Sequence, residues 1–209
     1  MIAILIKKYR WVRDNLFRQY FEAALGYKIV LSLSMASLTG LAAQIRIPLP
    51  FTPVPITLQT FAVLLSGIVL GRWAGVSQLF YIGLGVAGVP WFAGWGSGIT
   101  HLLGPTGGYI AGFVAASFFI GKMVEVSVKS RNFFSLLLLM LITNFLFIHG
   151  FGLFYLYIWF VLFKTIPAGF FQLFKIGTMP FIPGDVIKAT VAALLARTLA
   201  PNLLKKHSE

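Results

Sequence analysis

Along the chain, long apolar runs alternate with short clusters of proline, glycine and charge. The runs fall at 29–47, 56–71, 73–90, 106–123, 133–149 and 182–199. Each lies near the length a helix needs to cross a hydrocarbon layer of about 30 Å, so the pattern predicts six transmembrane helices. A further run, "GLFYLYIWFVLF" at 152–163, is short for a span and is bounded by Gly150, Gly152 and Pro167. It reads as a re-entrant or interfacial element.

Composition narrows the class. Of 209 residues, 58% are hydrophobic and 11% charged, against about 25% charged in an ordinary soluble domain. Mean hydropathy is +0.89. The expected fold class is therefore an all-α integral membrane protein. The absence of cysteine excludes disulfide and thiolate chemistry, and three scattered histidines argue against a metal site.

A net charge of +12 raises the question of nucleic acid, but its distribution answers with topology. With the N-terminus inside, thirteen lysines and arginines fall on the cytoplasmic side, and four (Arg46, Lys164, Lys175, Lys188) on the outer half. Six spans return the C-terminus to the cytoplasm. No nucleic-acid partner is expected. Residues 1–28 read as an amphipathic helix on the inner membrane face, with Ile6, Tyr9, Val12, Leu16, Phe17, Tyr20 and Ala24 on one arc and Lys7, Lys8, Asp14, Arg18 and Glu22 opposite; a disordered basic leader is the alternative. The membrane domain is then 29–199, and 200–209 a cytoplasmic tail.

Three outward segments stand apart. "RIPLPFTPVPIT" at 46–57 holds four prolines, which forbid a helix and favour an extended, pre-ordered loop. "VPWFAGWGSGITHLLGPTGGY" at 89–109 mixes glycines with tryptophans, and the third segment begins at His149. Long loops with apolar and aromatic content are usually lids or binding loops. These irregular outer loops are expected to line a ligand pocket.

Several motifs lose their usual meaning here. "GLGVAG" at Gly83–Gly88 matches a dinucleotide fingerprint, but no strand precedes it and no acid follows at the required distance, so its glycines are read as helix-packing residues. "ASFFIGKM" at 116–123 lacks the first glycine and the hydroxyl of a P-loop. Any ATP must be bound by another subunit. Ser32, Ala36 and Gly40 form a small-residue stripe at four-residue spacing, suited either to packing within the chain or to docking a separate membrane subunit. "GPTGGY", Gly104 to Tyr109, is either a plain helix start or a nest of backbone N–H groups for an anion, with Gly104, Gly107 and Gly108 as candidates.

The most informative stretch is "PFIPGDVIKAT" at 180–190. Only five acidic residues occur in the chain, and Asp185 is the one in apolar surroundings. Pro183-Gly184 is expected to end one segment and leave Asp185 at the N-cap of the next helix. Lys188, one turn deeper on nearly the same face, is not explained by capping, because a charge inside a span is expensive and normally marks a site. Together the two offer a strong acceptor beside a strong donor; an ion pair of structural value alone is the alternative. Gln59 adds a group that donates and accepts, Arg46 an outer cation or interfacial anchor, and Asn144 an interhelical hydrogen bond. No adjacent nucleophile or metal cluster accompanies the pair, so an enzyme is not expected.

"PLPFTPVPITLQTFAVLLSGIVLGRWAG", "YIGLGVAGVPWFAG", "LLGPTGGYIAGF" and "PFIPGDVIKATVAALLA" together resemble the BioY family, the biotin-specific substrate-capture (S) components of energy-coupling factor (ECF) transporters. The likeness runs from about Ala36 to Gly121 and resumes at Pro180. It implies a multi-pass protein of the prokaryotic cytoplasmic membrane that binds biotin at its outer face. The implied partners are membrane lipid, a transmembrane coupling subunit and two cytoplasmic ATPase subunits that topple the capture subunit. It implies no cofactor beyond ATP on those partners. The docking motif corresponds to Ser32, Ala36 and Gly40, the lid to Pro48–Pro55, and the family's Asp/Lys pair to Asp185 and Lys188. The ligand chemistry agrees: a ureido ring has two N–H donors and one carbonyl acceptor, complementary to a carboxylate beside an ammonium. Tyr81, Trp91, Phe92 and Trp95 are candidates for the apolar wall; Arg46 or the Gly104–Gly108 loop is the candidate for the ligand carboxylate. The alternative function is a stand-alone, proton-coupled secondary transporter of biotin or a related small vitamin, with Asp185 titrating. Inverted repeats, common in such carriers, are not visible.

Overall fold

A computed structural model of the protein describes residues 24–126, 132–164 and 169–199, together with Lys8 and Trp11. The amphipathic segment expected over 1–28 lies largely outside the described residues, as does the 200–209 tail; residues from Leu25 belong to the first long helix.

In chain order the elements are α1 (Leu25–Gln44), β1 (Arg46–Ile47), β2 (Ile56–Thr57), α2 (Gln59–Leu70), α3 (Trp73–Val86), α4 (Ile99–Leu102), α5 (Gly107–Val126) and α6 (Phe133–Thr143). A π-helical turn (Asn144–His149) joins α6 to α7 (Gly150–Trp159), and a second (Phe160–Lys164) follows. Next come α8 (Phe170–Gly177), a 3-10 turn (Met179–Phe181) and α9 (Ile182–Leu199). Among the described residues, four helical stretches are long and apolar enough to cross a membrane: Leu25–Gln44, Gly107–Val126, Phe133–Leu162 and Phe170–Ala196. Gln59–Leu70 and Trp73–Val86 are apolar but shorter.

Two expectations are corrected. The 152–163 run is not re-entrant: it continues the helix begun at Phe133 through the π-turn. Gly152 does not break that helix but admits a neighbour, since a Cβ there would collide with the Tyr109 ring. Pro183-Gly184 likewise does not end a segment. Proline is tolerated in a first turn, where its missing N–H has no intrahelical partner, and α9 starts ahead of it at Ile182. The third helix stops at Val86 because Gly88 takes φ +114°, closed by its N–H to the Gly85 carbonyl at 3.2 Å.

α5 is the central element, packed against α2, α3, α7 and the first π-turn, while α1 covers α2 and α3, and α9 covers α2 and α6. Two cores result. One half of the bundle is aliphatic, with Leu64, Ile68, Ile120, Leu136 and Met140 closing on a stripe of Ala189, Ala192, Ala193 and Ala196. Those alanines recur at three- and four-residue spacing, so α9 presents a smooth face that lets its backbone approach α2 and α6. The other half is aromatic, built on Tyr81, Phe92, Tyr109, Phe113 and Phe181. Larger rings and a proline-bound ribbon fill that end less uniformly, and the pocket lies there.

The proline-rich segment is non-helical, as expected, but it is not one extended stretch: it turns at Pro50–Phe51 and bends at Pro53–Val54. Its ends pair as a two-residue antiparallel ribbon, Arg46 opposite Thr57 and Ile47 opposite Ile56. Val54 tucks in at 5% exposure.

Candidate functional site

The first turns of α9 place Asp185 and Lys188 one turn apart on the face toward α2, and their Oδ1 and Nζ are 2.5 Å apart. Asp185 is not an N-cap. It lies inside the first turn, and its recorded partners are side chains. Oδ2 accepts from Asn144 Nδ2 at 2.9 Å and lies 2.7 Å from His149 Nε2, while Thr60 Oγ1 approaches Oδ1 at 3.5 Å. Lys188 donates to the Thr57 carbonyl at 3.0 Å and to Thr60 Oγ1 at 2.7 Å besides its carboxylate. An ammonium has three donors, so Lys188 is fully engaged. Asp185 retains at most one free acceptor position, on Oδ1.

The π-turn explains how two residues of one helix reach the same oxygen. Asn144 and His149 are five positions apart, roughly 140° around an α-helix of about 3.6 residues per turn. Wider i→i+5 bonding brings them back to a common face, and such turns are frequent at functional sites. Sequence reasoning assigned Asn144 an interhelical hydrogen bond, which it makes, but it missed His149 and Thr60. A histidine at the end of an apolar run was the available signal for the first; a threonine in an apolar helix carries little signal.

The pocket above this floor is lined by Val54, Pro55, Ile110, Phe113, Ile148 and Phe181 as its apolar walls. Thr57, Gln59, Thr60, His101, Thr106, Tyr109, His149, Asp185 and Lys188 contribute its polar groups. Gln59 donates to the Tyr81 hydroxyl at 2.7 Å and accepts from Thr57 Oγ1 at 3.0 Å. Tyr81, Trp91 and Phe92 stand behind the wall instead of forming it: Tyr81 and Phe92 are fully buried, in edge contact at 5.3 Å, and Trp91 Nε1 donates to the Tyr81 carbonyl at 2.9 Å. Trp95 is 66% exposed. Arg46 is exposed on β1, against the backbone of Gly94, and is outside the pocket lining.

Gly104, Gly107 and Gly108 are also outside the lining. Their neighbours suggest packing as their use. A Cβ on Gly107 would collide with the Leu102 carbonyl, and one on Gly108 with the Phe151 carbonyl and Tyr155. Tyr109 does line the pocket, and its hydroxyl donates to the Gly177 carbonyl at 2.7 Å. Gln44 was unforeseen: its amide donates to the carbonyls of Trp91 (3.2 Å) and Phe92 (3.1 Å) and accepts from the Trp95 N–H (2.9 Å), pinning the aromatic loop to α1. His101 stacks on Phe92 at 5.0 Å, and burial lowers its proton affinity below that of a free imidazole.

Ser32, Ala36 and Gly40 are buried within the chain, and a Cβ on Gly40 would press on Trp91. The stripe thus takes the first of its two expected uses, packing inside the protein, and is not exposed for docking in this conformation. The surface of α1 is instead Tyr27, Val30, Ser34, Ser37, Leu38 and Leu41.

The BioY family profile matches residues 18–205. A probable biotin transporter BioY from Methanothermobacter thermautotrophicus is 44% identical over 138 residues, spanning 66% of this chain and 88% of that protein. The corresponding protein of Pyrococcus horikoshii is 41% identical over 167 residues, spanning 79% and 91%. A biotin transporter BioY from Rhizobium etli is 34% identical over 178 residues, spanning 82% and 91%. Among solved structures, the S-component for biotin from an ECF-type ABC transporter superposes with a TM-score of 0.73 at 26% identity, covering 85% of this chain and 94% of that one.

Proposed function

The chain belongs to the BioY family, and on that premise we propose that it captures biotin as the S component of an ATP-driven ECF vitamin importer. It is a multi-pass protein of a prokaryotic membrane and a transporter subunit, not an enzyme. Six helical spans with both termini in the cytoplasm put the pocket end outward, in keeping with the positive-inside distribution of lysine and arginine. Energy enters through partners: a transmembrane coupling subunit and two cytoplasmic ATPases, with lipid around the helices.

The observation that carries the site is Asp185, a carboxylate 2% exposed at the floor of an apolar pocket, held by partners from α2, α9 and the π-turn. We assign to one ureido N–H the Oδ1 position that Thr60 approaches only at 3.5 Å, the ligand displacing that hydroxyl. Lys188 holds Asp185 and Thr60 in place and, by exchanging its bond to the Thr57 carbonyl, can donate to the ureido oxygen. Val54, Ile110, Phe113, Ile148 and Phe181 take the fused rings and aliphatic tail. Pro48–Pro55 is the lid, since Val54 and Pro55 already close one side. Arg46 and the Gly104–Tyr109 segment remain candidates for the valerate carboxylate once the lid closes.

Titration calorimetry of the purified chain with biotin is the test. Tight binding is expected, and Asp185→Asn and Lys188→Ala should each weaken it about ten- to a hundredfold, the loss of one charge-assisted hydrogen bond to the ligand. Undiminished binding in both variants refutes the site.

A further inference from the structure

We propose that His101 is a ligand-binding residue whose Nε2 pairs with the polar group left over once Asp185 and Lys188 hold the ureido ring. This rests on the biotin reading, on which that group is the valerate carboxylate. The argument proceeds by elimination among the polar groups of the pocket. Thr57 Oγ1 donates to Gln59, Gln59 to the Tyr81 hydroxyl, and Tyr109 to the Gly177 carbonyl, while Thr60 accepts from Lys188. Each is already engaged within the protein. Among the described residues, His101 Nε2 is the one buried side-chain atom without a hydrogen-bond partner whose residue lines the pocket. Leaving such an atom unpaired costs free energy, which a ligand oxygen meeting it recovers.

The ring is held for this role. Phe92 stacks on it with centroids 5.0 Å apart and planes at 19°, and Gly96 packs against its Nδ1 edge, where a Cβ would collide with the imidazole. The backbone is anchored on both sides of α4. Phe92 and Gly96 exchange two hydrogen bonds of 2.9 and 3.2 Å, and the Gly98 N–H donates to the Gly85 carbonyl at 2.8 Å. Beyond the helix, the Tyr155 hydroxyl donates to the Leu103 carbonyl at 3.1 Å. A side chain fixed in place before binding loses little freedom when the ligand arrives. Arg46 and the glycines at 104, 107 and 108 lie outside the lining and must move to reach the ligand, whereas His101 is already in the wall.

A carboxylate oxygen only accepts, so the ligand selects the ring tautomer that carries its proton on Nε2. That nitrogen is buried as the pocket stands, and the contact forms as the pocket widens around the ligand. Thr106, five residues on, adds a hydroxyl to the same wall. Recognition is then divided along the chain: α2 and α9 read the ureido ring, and the segment holding His101 reads the tail.

Titration calorimetry of the full chain in nanodiscs tests this with two ligands, biotin and an analogue whose tail ends in a methyl group in place of the carboxylate. Wild type should bind biotin at least about tenfold more tightly than the analogue, from one hydrogen bond to a charged group. His101→Phe keeps a ring to stack on Phe92 but has no ring nitrogen. It should lose most of that preference while binding the analogue as wild type does. His101→Gln returns a donor at similar reach and should recover part of the preference. A full preference surviving in His101→Phe, whether or not both affinities fall together, overturns the contact and leaves His101 a packing residue. Wild type that binds no biotin at all overturns the biotin reading, and this contact with it.

Discussion

The protein holds two acid–base pairs of similar chemistry in opposite settings. Asp185 and Lys188 sit on one helix with side chains 2% and 11% exposed, wrapped by Asn144, His149 and Thr60. Glu125, near the end of α5, faces Arg72 in the turn between α2 and α3, with side chains 19% and 70% exposed and Nε to Oε2 at 3.4 Å. Water can replace either partner of the second pair at little cost. It cannot do so for the first, where desolvation has already been incurred and every proton or lone pair needs an internal partner. Burial, more than charge, separates a site from a surface contact.

The largest effect expected from breaking this comparison is Lys188→Met. Removing the cation leaves Asp185 buried without its nearest counter-charge, and loss of one member of a buried pair typically costs about 3–5 kcal/mol. Denaturant unfolding in detergent measures it. The double variant Asp185→Asn/Lys188→Met should be less destabilised than the sum of the single changes, since no uncompensated charge remains. Strict additivity would mean the pair is not coupled. A smaller loss is expected from Asn144→Leu, which removes one hydrogen bond to a charged group, worth about 1.5–3 kcal/mol. The same change deletes Asn144 Oδ1, buried without a partner among the described residues, so the result should fall at the low end of that range. Biotin affinity should drop with it, as Asp185 loses one of two anchors on Oδ2.

The same contrast explains what sequence could and could not disclose. Asp185 and Lys188 were legible because charge in an apolar run has few bland explanations, and the non-helical course of 46–57 because four prolines forbid a helix, though not the pairing of its ends. His149 was not legible as a partner of Asp185, because its alignment with Asn144 depends on a π-turn, and no local propensity marks where an α-helix widens. Gly150 and Gly152 looked like a break; only the position of Tyr109 across the interface reveals Gly152 as a contact point. The stripe of Ser32, Ala36 and Gly40 illustrates the general limit. Small residues announce close approach, but which neighbour approaches is a tertiary fact, here Trp91 at Gly40. The aromatic residues expected in the wall lie outside the pocket lining, with Tyr81 and Phe92 in edge contact with each other.

The smallest effect is expected at the exposed pair. Glu125→Gln removes the charge but keeps an oxygen able to accept the Arg72 backbone N–H, now bound at 2.9 Å by Oε1. That bond closes the turn in which Gly71 adopts φ +56°, so the local backbone should survive. What is lost is the Coulomb attraction across 3.4 Å at a site where the arginine is mostly in water, typically about 0.2–1 kcal/mol for an exposed pair. The difference from wild type should shrink further in high salt, where the screening length falls to about 3 Å at 1 M. Biotin affinity should not change, because Glu125 belongs to the aliphatic end of the bundle and the pocket to the aromatic end. A loss comparable to Lys188→Met, or one insensitive to salt, would show that Glu125 is as constrained as Asp185 and that exposure is the wrong variable for ranking the two pairs.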